Sequence, residues 1–396
     1  MTGPTMGIQQ SSRSLVLPMA VTAVTVAGIA LAAGVGPARA TAAGSARWRV
    51  VARTNSALNT IVAPAAGSAW ALGAKAGPSF ASLPSGVHWN GRRWSPVKFP
   101  ASVKSGFSCS AASSAGNVWA FAGSGLFGGG ATYAAALRLS GTRWVVKKSF
   151  VPAGLVSGCA VLSSTSAWVF GLTHVAPGLG TWRLKGSSWR RATTGKFFVI
   201  SSSRVSARDI WAMAADGVGN NDVIAHWNGK IWRSDSAFAA ALPHQTSTLT
   251  WDVSAINAVA AGNVWVAGQI LREVSPGNFV PTSYVLHLSG GKWRHVGRTN
   301  AGYYLPGAVS DGHGGWWSQG TGLEFGFGTD SAKPYLLHQA GGRWHRVTLP
   351  VPKGDTMQIV DLVHVPGSRA MLAVAELFNG KAGLHSEVLA YGQLPK

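Results

Sequence analysis

His88-Trp89-Asn90-Gly91-Arg92-Arg93-Trp94 and His226-Trp227-Asn228-Gly229-Lys230-Ile231-Trp232 are two copies of one unit. Asn-Gly between apolar stretches marks a turn that joins two strands. The closing Trp recurs along the chain as Trp48, Trp94, Trp144, Trp189, Trp232, Trp293 and Trp344. All but Trp48 have Gly three residues earlier: Gly91, Gly141, Gly186, Gly229, Gly290 and Gly341. A second series interleaves with the first: Trp70, Trp119, Trp168, Trp211, Trp265 and Trp316, in contexts such as Ser68-Ala69-Trp70-Ala71-Leu72-Gly73.

Each period reads as four strands. Ala/Ser/Val alternation precedes a short turn, the second-series Trp opens the next strand, a Gly/Pro-containing loop follows, and the Gly-x-x-Trp unit starts the last strand. No helical periodicity longer than about two turns occurs after residue 40. Four strands every 45–50 residues predicts an all-β chain, a seven-bladed β-propeller. Trp48 precedes any second-series Trp, so it is a last strand without its blade. At the other end, Met357–Val365, Ala370–Glu376 and Ser386–Gly392 supply three strands without a closing Trp. The N-terminal strand is therefore expected to complete the C-terminal blade, which leaves no open sheet edge.

On these Trp-Ala-x-Gly and His-Trp-Asn-Gly-x-x-Trp units, residues 46–393 resemble the bacterial secreted seven-bladed propellers of the kelch, WD-repeat and galactose-oxidase-like group. The chain lacks kelch's regular Gly-Gly and the repeated Gly-His and Trp-Asp signatures of WD repeats. The resemblance implies a fold and no activity.

Composition excludes other classes. The 396 residues carry 34 Lys/Arg against 13 Asp/Glu, a net charge of +21, with 51 Gly and 18 Trp. So many aromatics exclude long disorder, and scarce Glu and Lys exclude a coiled coil. Residues 1–40 read as a secretory signal peptide. Leu15–Val35 is apolar, Gly36-Pro37 breaks it, and Ala38-Arg39-Ala40 is a cleavage site. An uncleaved anchor is the alternative. Residues 41–396 then form one propeller domain of net charge +19, a monomer without a membrane span, secreted or cell-wall-associated. Nineteen of its 32 Lys/Arg lie within a few residues of a first-series Trp, among them Arg92, Arg93, Lys147, Lys148, Arg190, Arg191, Arg294 and Arg346. The blade rims are expected to be cationic, either as edge protection or as attraction to a polyanion.

The first–second and third–fourth turns are short. Long loops gather on the opposite face: Ala74–Gly86, Ser124–Thr132, Gln269–Thr282 and Gly320–Pro334 within blades, and Ser234–Leu249 and Arg298–Pro306 between them. Loops on a rigid scaffold carry binding. Their aromatics Phe80, Phe127, Phe279, Tyr303, Tyr304, Phe325 and Phe327 are the expected ligand contacts. The function expected is a non-catalytic binding or scaffold module at the cell envelope. Its partner is an anionic glycopolymer or a protein; export argues against nucleic acid as a physiological target, and no cofactor is implied.

The rival is a lyase or hydrolase using His244, Glu273, Asp311, His313, Glu324 and His385. An enzyme requires several of these to converge on one pocket. No carboxylate precedes Asp209, and Ser310–Trp316 echoes a sialidase-type box with the wrong spacing, which reads as a turn. His88, His226, His287 and His338 recur six residues before a first-series Trp, where Arg138 and Arg183 stand in other blades. A repeated position implies structural hydrogen bonding. Asp216, Asn220 and Asp222 form a weak calcium candidate. Cys109 and Cys159, one repeat apart, are a disulfide candidate in an exported chain, provided neighbouring inner strands approach closely enough.

Overall fold

The computed structural model describes residues 47–395 except 78–81, 124–132, 172–177, 217–221, 300–307, 321–334, 342 and 380–382. Among the described residues the chain forms seven four-stranded antiparallel sheets. Blade 1 comprises Ala57–Ala65, Ser68–Ala76, Ser82–Trp89 and Trp94–Pro96. Blade 2 comprises Phe107–Ser114, Asn117–Ala122, Ala135–Ser140 and Arg143–Ser149. Blade 3 comprises Val156–Ser163, Ser166–Gly171, Thr181–Lys185 and Ser188–Ala192. Blade 4 comprises Phe197–Ser206, Asp209–Asp216, Asp222–Trp227 and Trp232–Ser234. Blade 5 comprises Leu249–Ala260, Asn263–Ser275, Asn278–Ser289 and Lys292–Thr299. Blade 6 comprises Ala308–Ser310, Trp316–Gly320, Tyr335–Ala340 and Arg343–Thr348. Blade 7 takes Thr356–His364, Met371–Asn379 and Gly383–Tyr391 from the C-terminal end and Trp48–Thr54 from the N-terminal end. Trp48 pairs with Tyr391, and Thr54 with Ser386. The first strands contact one another in sequence and return from blade 7 to blade 1, so the ring is closed.

The two Trp series are the gear between blades. In five blades the closing-strand Trp meets the second-strand Trp of the preceding blade edge-on. Trp144 lies 5.3 Å from Trp70, Trp189 5.9 Å from Trp119, Trp232 5.8 Å from Trp168 and Trp293 6.2 Å from Trp211, all near perpendicular. Trp48 meets Trp317 at 5.5 Å and 84°. The N-terminal strand thus packs as the closing strands of blades 2 to 5 do. Aromatic pairs of this geometry add about 1 kcal/mol each beyond buried area.

The other face of each second-strand Trp is covered by its cross-strand neighbour. His88, His226, His287 and His338 stack on Trp70, Trp211, Trp265 and Trp317 at 3.7–4.2 Å. Arg138 and Arg183 take the same place over Trp119 and Trp168, as cation–π contacts at 5.8 and 4.8 Å. The repeated position is structural.

Blade 6 departs from the expected register. The residue stacked on its His is Trp317, and Trp316 packs instead beside Trp265 at 5.1 Å. Elsewhere the residue two before the Trp holds the His ring through its side chain, as Asn263 does for His287 at 2.9 Å. In blade 6 that residue is Gly315. Asp311 replaces the missing side chain from the turn, its Oδ2 lying 3.0 Å from His338 Nε2. A Cβ on Gly315 would stand 2.4 Å from that same oxygen.

Two turns also differ from expectation. The third–fourth connections of blades 1 and 4 are four residues long, Asn90–Arg93 and Asn228–Ile231. The Asn side chain organises them: Asn90 Oδ1 accepts from Arg92 N and Arg93 N, with Gly91 at φ 85°. The segment Gln269–Thr282 is a hairpin rather than a loop, turning at Pro276-Gly277. Its outgoing strand continues ten residues past Trp265, against three past Trp119 in blade 2. The excess of seven residues extends it by about 23 Å.

Inner strands are tied by small polar groups. Six first strands carry a β-bulge at one level, at Asn59, Ser108, Ser157, Ile200, Ser254 and Val360. Just past it, Thr60 and Ser110 share a hydrogen bond of 2.8 Å, Ser202 donates to the Cys159 carbonyl, and Asp361 accepts from Ile61 N at 2.7 Å. Cys109 and Cys159 are disulfide-bonded across blades 2 and 3, with Cα atoms 6.1 Å apart. The bond sits within reach because inner strands crowd at the ring's centre.

Candidate binding surfaces

The short turns and the long connections emerge at opposite ends of the strands, so the ring has a trimmed face and an elaborated face. Phe80, Phe127, Tyr303, Tyr304, Phe325 and Phe327 lie outside the described residues, as does Glu324. Phe279 is described: it stands near the tip of the blade 5 hairpin, 44% exposed, with Val274 and Val280 also exposed.

Among the residues named for an enzyme, the described ones occupy separate elements, except that Asp311 and His313 share a turn. Glu273 belongs to the hairpin tip, where it accepts from Gly277 N at 2.7 Å. His244 is exposed in the connection between blades 4 and 5, which also holds the short helix Ser236–Ala240. His385 is half-buried in the third strand of blade 7, opposite Leu377. Asp311 and His313 lie at the other end of the ring, in the trimmed-face turn of blade 6. There Asp311 Oδ1 accepts from His313 N and Gly315 N. Burial pushes the Asp311 carboxyl up, but the bonds from His338 and these two amides outweigh it and hold it below the usual carboxylate range. That chemistry belongs to a turn. Of the calcium candidates, Asn220 lies outside the described residues, Asp216 ends one strand and Asp222 begins the next. Among the described residues no three His, Cys, Asp or Glu cluster to hold a metal.

Sequence reasoning did not find the buried acids of the elaborated face. Burial pushes Asp222 up to about 7, with neighbouring Asp252 adding to the rise, and burial pushes Asp252 up to about 6. Each points at a backbone amide, Asp222 at Val253 N (2.7 Å) and Asp252 at Gln269 N (3.1 Å). Tyr284 packs beneath and donates to the Asp252 carbonyl at 2.8 Å. The only hint in the sequence was two acids flanking strand starts. Glu376, 9% exposed in blade 7, is likewise pushed up to about 7 by burial.

Cations crowd the outer strands instead. Arg92, Arg93, Lys147, Arg190 and Arg191 make no ion pair among the described residues. A groove of about 1000 Å³ lies on this rim between the closing strand of blade 7 and the outer edge of blade 1. Arg49 and Arg53 line one wall, Arg92, Arg93, Trp89 and Trp94 the other. Arg53 Nε binds Glu387 Oε1 at 2.7 Å, and Arg49 donates to the Gly392 carbonyl. Its sequence signal was two pairs of Arg near Trp, one pair on each side of the seam.

No protein-family model matches the chain, and no curated protein does. Among solved structures it is similar to YCF48 bound to a D1 peptide, at 14% identity and a TM-score of 0.53, over 89% of this chain and 99% of that one. It is also similar to YCF48 from Cyanidioschyzon merolae, at 13% identity and TM-score 0.52, over 87% and 98%. A GH74 xyloglucanase from Xanthomonas campestris matches at 13% identity and TM-score 0.53, over 84% of this chain and 53% of that one. At such identities the likeness shows the fold: this is a seven-bladed propeller. These neighbours are YCF48 and a glycoside hydrolase propeller, and they do not carry the narrower kelch, WD-repeat or galactose-oxidase grouping.

Proposed function

We propose that the chain is an exported, non-catalytic binding module of the cell envelope that takes an anionic glycopolymer. The observation that carries this reading is the rim: outer strands rich in Lys and Arg without matching carboxylates. Such a belt attracts polyanions over a screening length of about 8 Å at physiological salt. Export is supported by the signal-like pattern of residues 1–40 and by the Cys109–Cys159 bond, since disulfides persist in oxidising compartments. The enzyme reading loses its support where Glu273 and Asp311 sit on opposite faces, each holding its own turn.

The test is retention on immobilised teichoic acid, peptidoglycan, anionic lipid, DNA and neutral glycans, washed from low salt to about 0.5 M, where screening falls to about 4 Å. Retention on an anionic glycopolymer after the others release is expected. Simultaneous release from every anion would reduce the rim to edge protection.

A second reading has its own observation. The hairpin tip exposes Val274, Phe279 and Val280 on the elaborated face, and a neighbouring fold is YCF48 with a bound peptide. A protein partner there would be lost with Phe279→Ser while glycopolymer binding persists.

A further inference from the structure

We propose that the rim groove between the closing strand and blade 1 is a seat for an acidic saccharide, and that its ligand staples the N-terminal strand to the ring. This rests on the anionic-glycopolymer reading and narrows it to one place. In this groove, about 1000 Å³, cations from two separate sheets face a common space. Arg49 and Arg53 come from blade 7, Arg92 and Arg93 from blade 1. Glu387 neutralises Arg53 alone. Arg49 is turned to a neutral carbonyl, and the side chains of Arg92 and Arg93 make no hydrogen bond or ion pair among the described residues. Three guanidinium groups around one space repel each other within a screening length, and an entering anion relieves that repulsion. Planar guanidinium forks match carboxylate, sulfate or phosphate esters.

The floor is aromatic. Trp89 and Trp94 are half-buried, tilted 40° and 6.0 Å apart, so a shallow indole surface faces the groove. At that tilt and spacing the two indoles leave no parallel slot for a base to stack between, whereas a sugar ring can lie on one face. The base of the site is rigid: the Asn90 carboxamide holds the backbone amides of both Arg92 and Arg93 at 3.1 and 3.0 Å. The two walls belong to different sheets, and no strand pairing joins them. A ligand that bridges them adds a tie at the point where the chain's two ends meet.

The experiment uses the full chain with a polygalacturonate oligomer as probe and single-stranded DNA and neutral dextran as comparators. Arg92→Ser/Arg93→Ser is compared with Arg190→Ser/Arg191→Ser, an equal loss of charge on the blade 3 rim. At least tenfold weaker polygalacturonate binding is expected from the first pair, and less than twofold from the second. Equal losses would overturn the groove and leave diffuse rim binding standing. No binding by the unmodified chain would overturn both. Tighter binding of DNA, with the same dependence on Arg92 and Arg93, would overturn the saccharide assignment. Stapling has its own readout: polygalacturonate slows tryptic cleavage after Arg49 and Arg53 in the unmodified chain and not in Arg92→Ser/Arg93→Ser. Equal cleavage with and without the probe would remove the staple.

Discussion

Replacing Glu376 by Gln is expected to stabilise the ring at pH 8 and to do nothing at pH 4. Glu376 sits in the second strand of blade 7, 9% exposed, and its carboxyl has no hydrogen bond among the described residues. Burial pushes its pKa from 4.5 to about 7. The folded value lies above the unfolded one, so folding takes up a proton as pH rises past the usual carboxylate range. Its contribution is therefore fully present below about 4.5 and is lost as pH climbs through about 7. A rise of that size corresponds to about 3 kcal/mol at pH 8. For a ring of roughly 350 residues this is about 4 °C in Tm. The neutral isostere avoids the ionisation, so the variant-minus-parent difference grows between pH 5 and 8. Asp222, Asp252 and Asp361 also titrate high, but they are common to both proteins and cancel. Thermal unfolding of the two proteins across pH 4–8 measures it. A difference that stays flat with pH, or a variant less stable at pH 8, refutes the assignment of the shift to burial.

Three further outcomes follow from the packing. Cys109→Ser/Cys159→Ser opens a cross-link between residues fifty apart; the chain-entropy model puts the loss at about 4 kcal/mol, seen as a lower urea midpoint that matches reduced parent protein. Trp48→Ala removes a 3%-exposed side chain from the Trp317 and Tyr391 contacts, at about 3–5 kcal/mol, and should free the closing strand to proteolysis before the rest unfolds. Asp311→Ala costs about 1–3 kcal/mol at pH 7 through the lost His338 and turn bonds, with polyanion binding unchanged. Because the Asp311 pKa is held low, its stabilisation is present at neutral pH and disappears as pH falls below the usual carboxylate range, so the penalty should shrink towards pH 3.

The blades were legible in the sequence because the interblade gear uses the bulkiest side chain at two fixed positions. Trp48 without a blade and a last blade without a Trp are two halves of one statement. The His/Arg position was legible for the same reason: it recurs in step with Trp. The errors arose where one local group changed the register. At Gly314-Gly315-Trp316-Trp317 the count favours the first Trp, but Asp311 fills the space of a missing side chain and moves the strand by one. At Gln269–Thr282 the Pro and Gly suggested a loop, although both fit a two-residue turn and the flanking residues continue as strand. The rim groove was illegible as a site. Its walls are about forty residues apart in sequence and belong to different sheets, and only closure of the ring brings them face to face. The acids Asp222 and Asp252 escaped because burial, and not residue type or spacing, raises their pKa.

Closure by the first strand has a consequence in time. Trp48 finds its hydrogen-bonding partner Tyr391 only after 343 more residues have been made. At about 5–20 residues per second that is on the order of 20–70 seconds. Through that interval Trp48–Thr54 is a bare apolar strand, the kind that pairs with the wrong neighbour. Arg49 and Arg53 interrupt it at every fourth position. Before they line any groove, those two charges keep a waiting strand soluble until the last blade arrives to receive it.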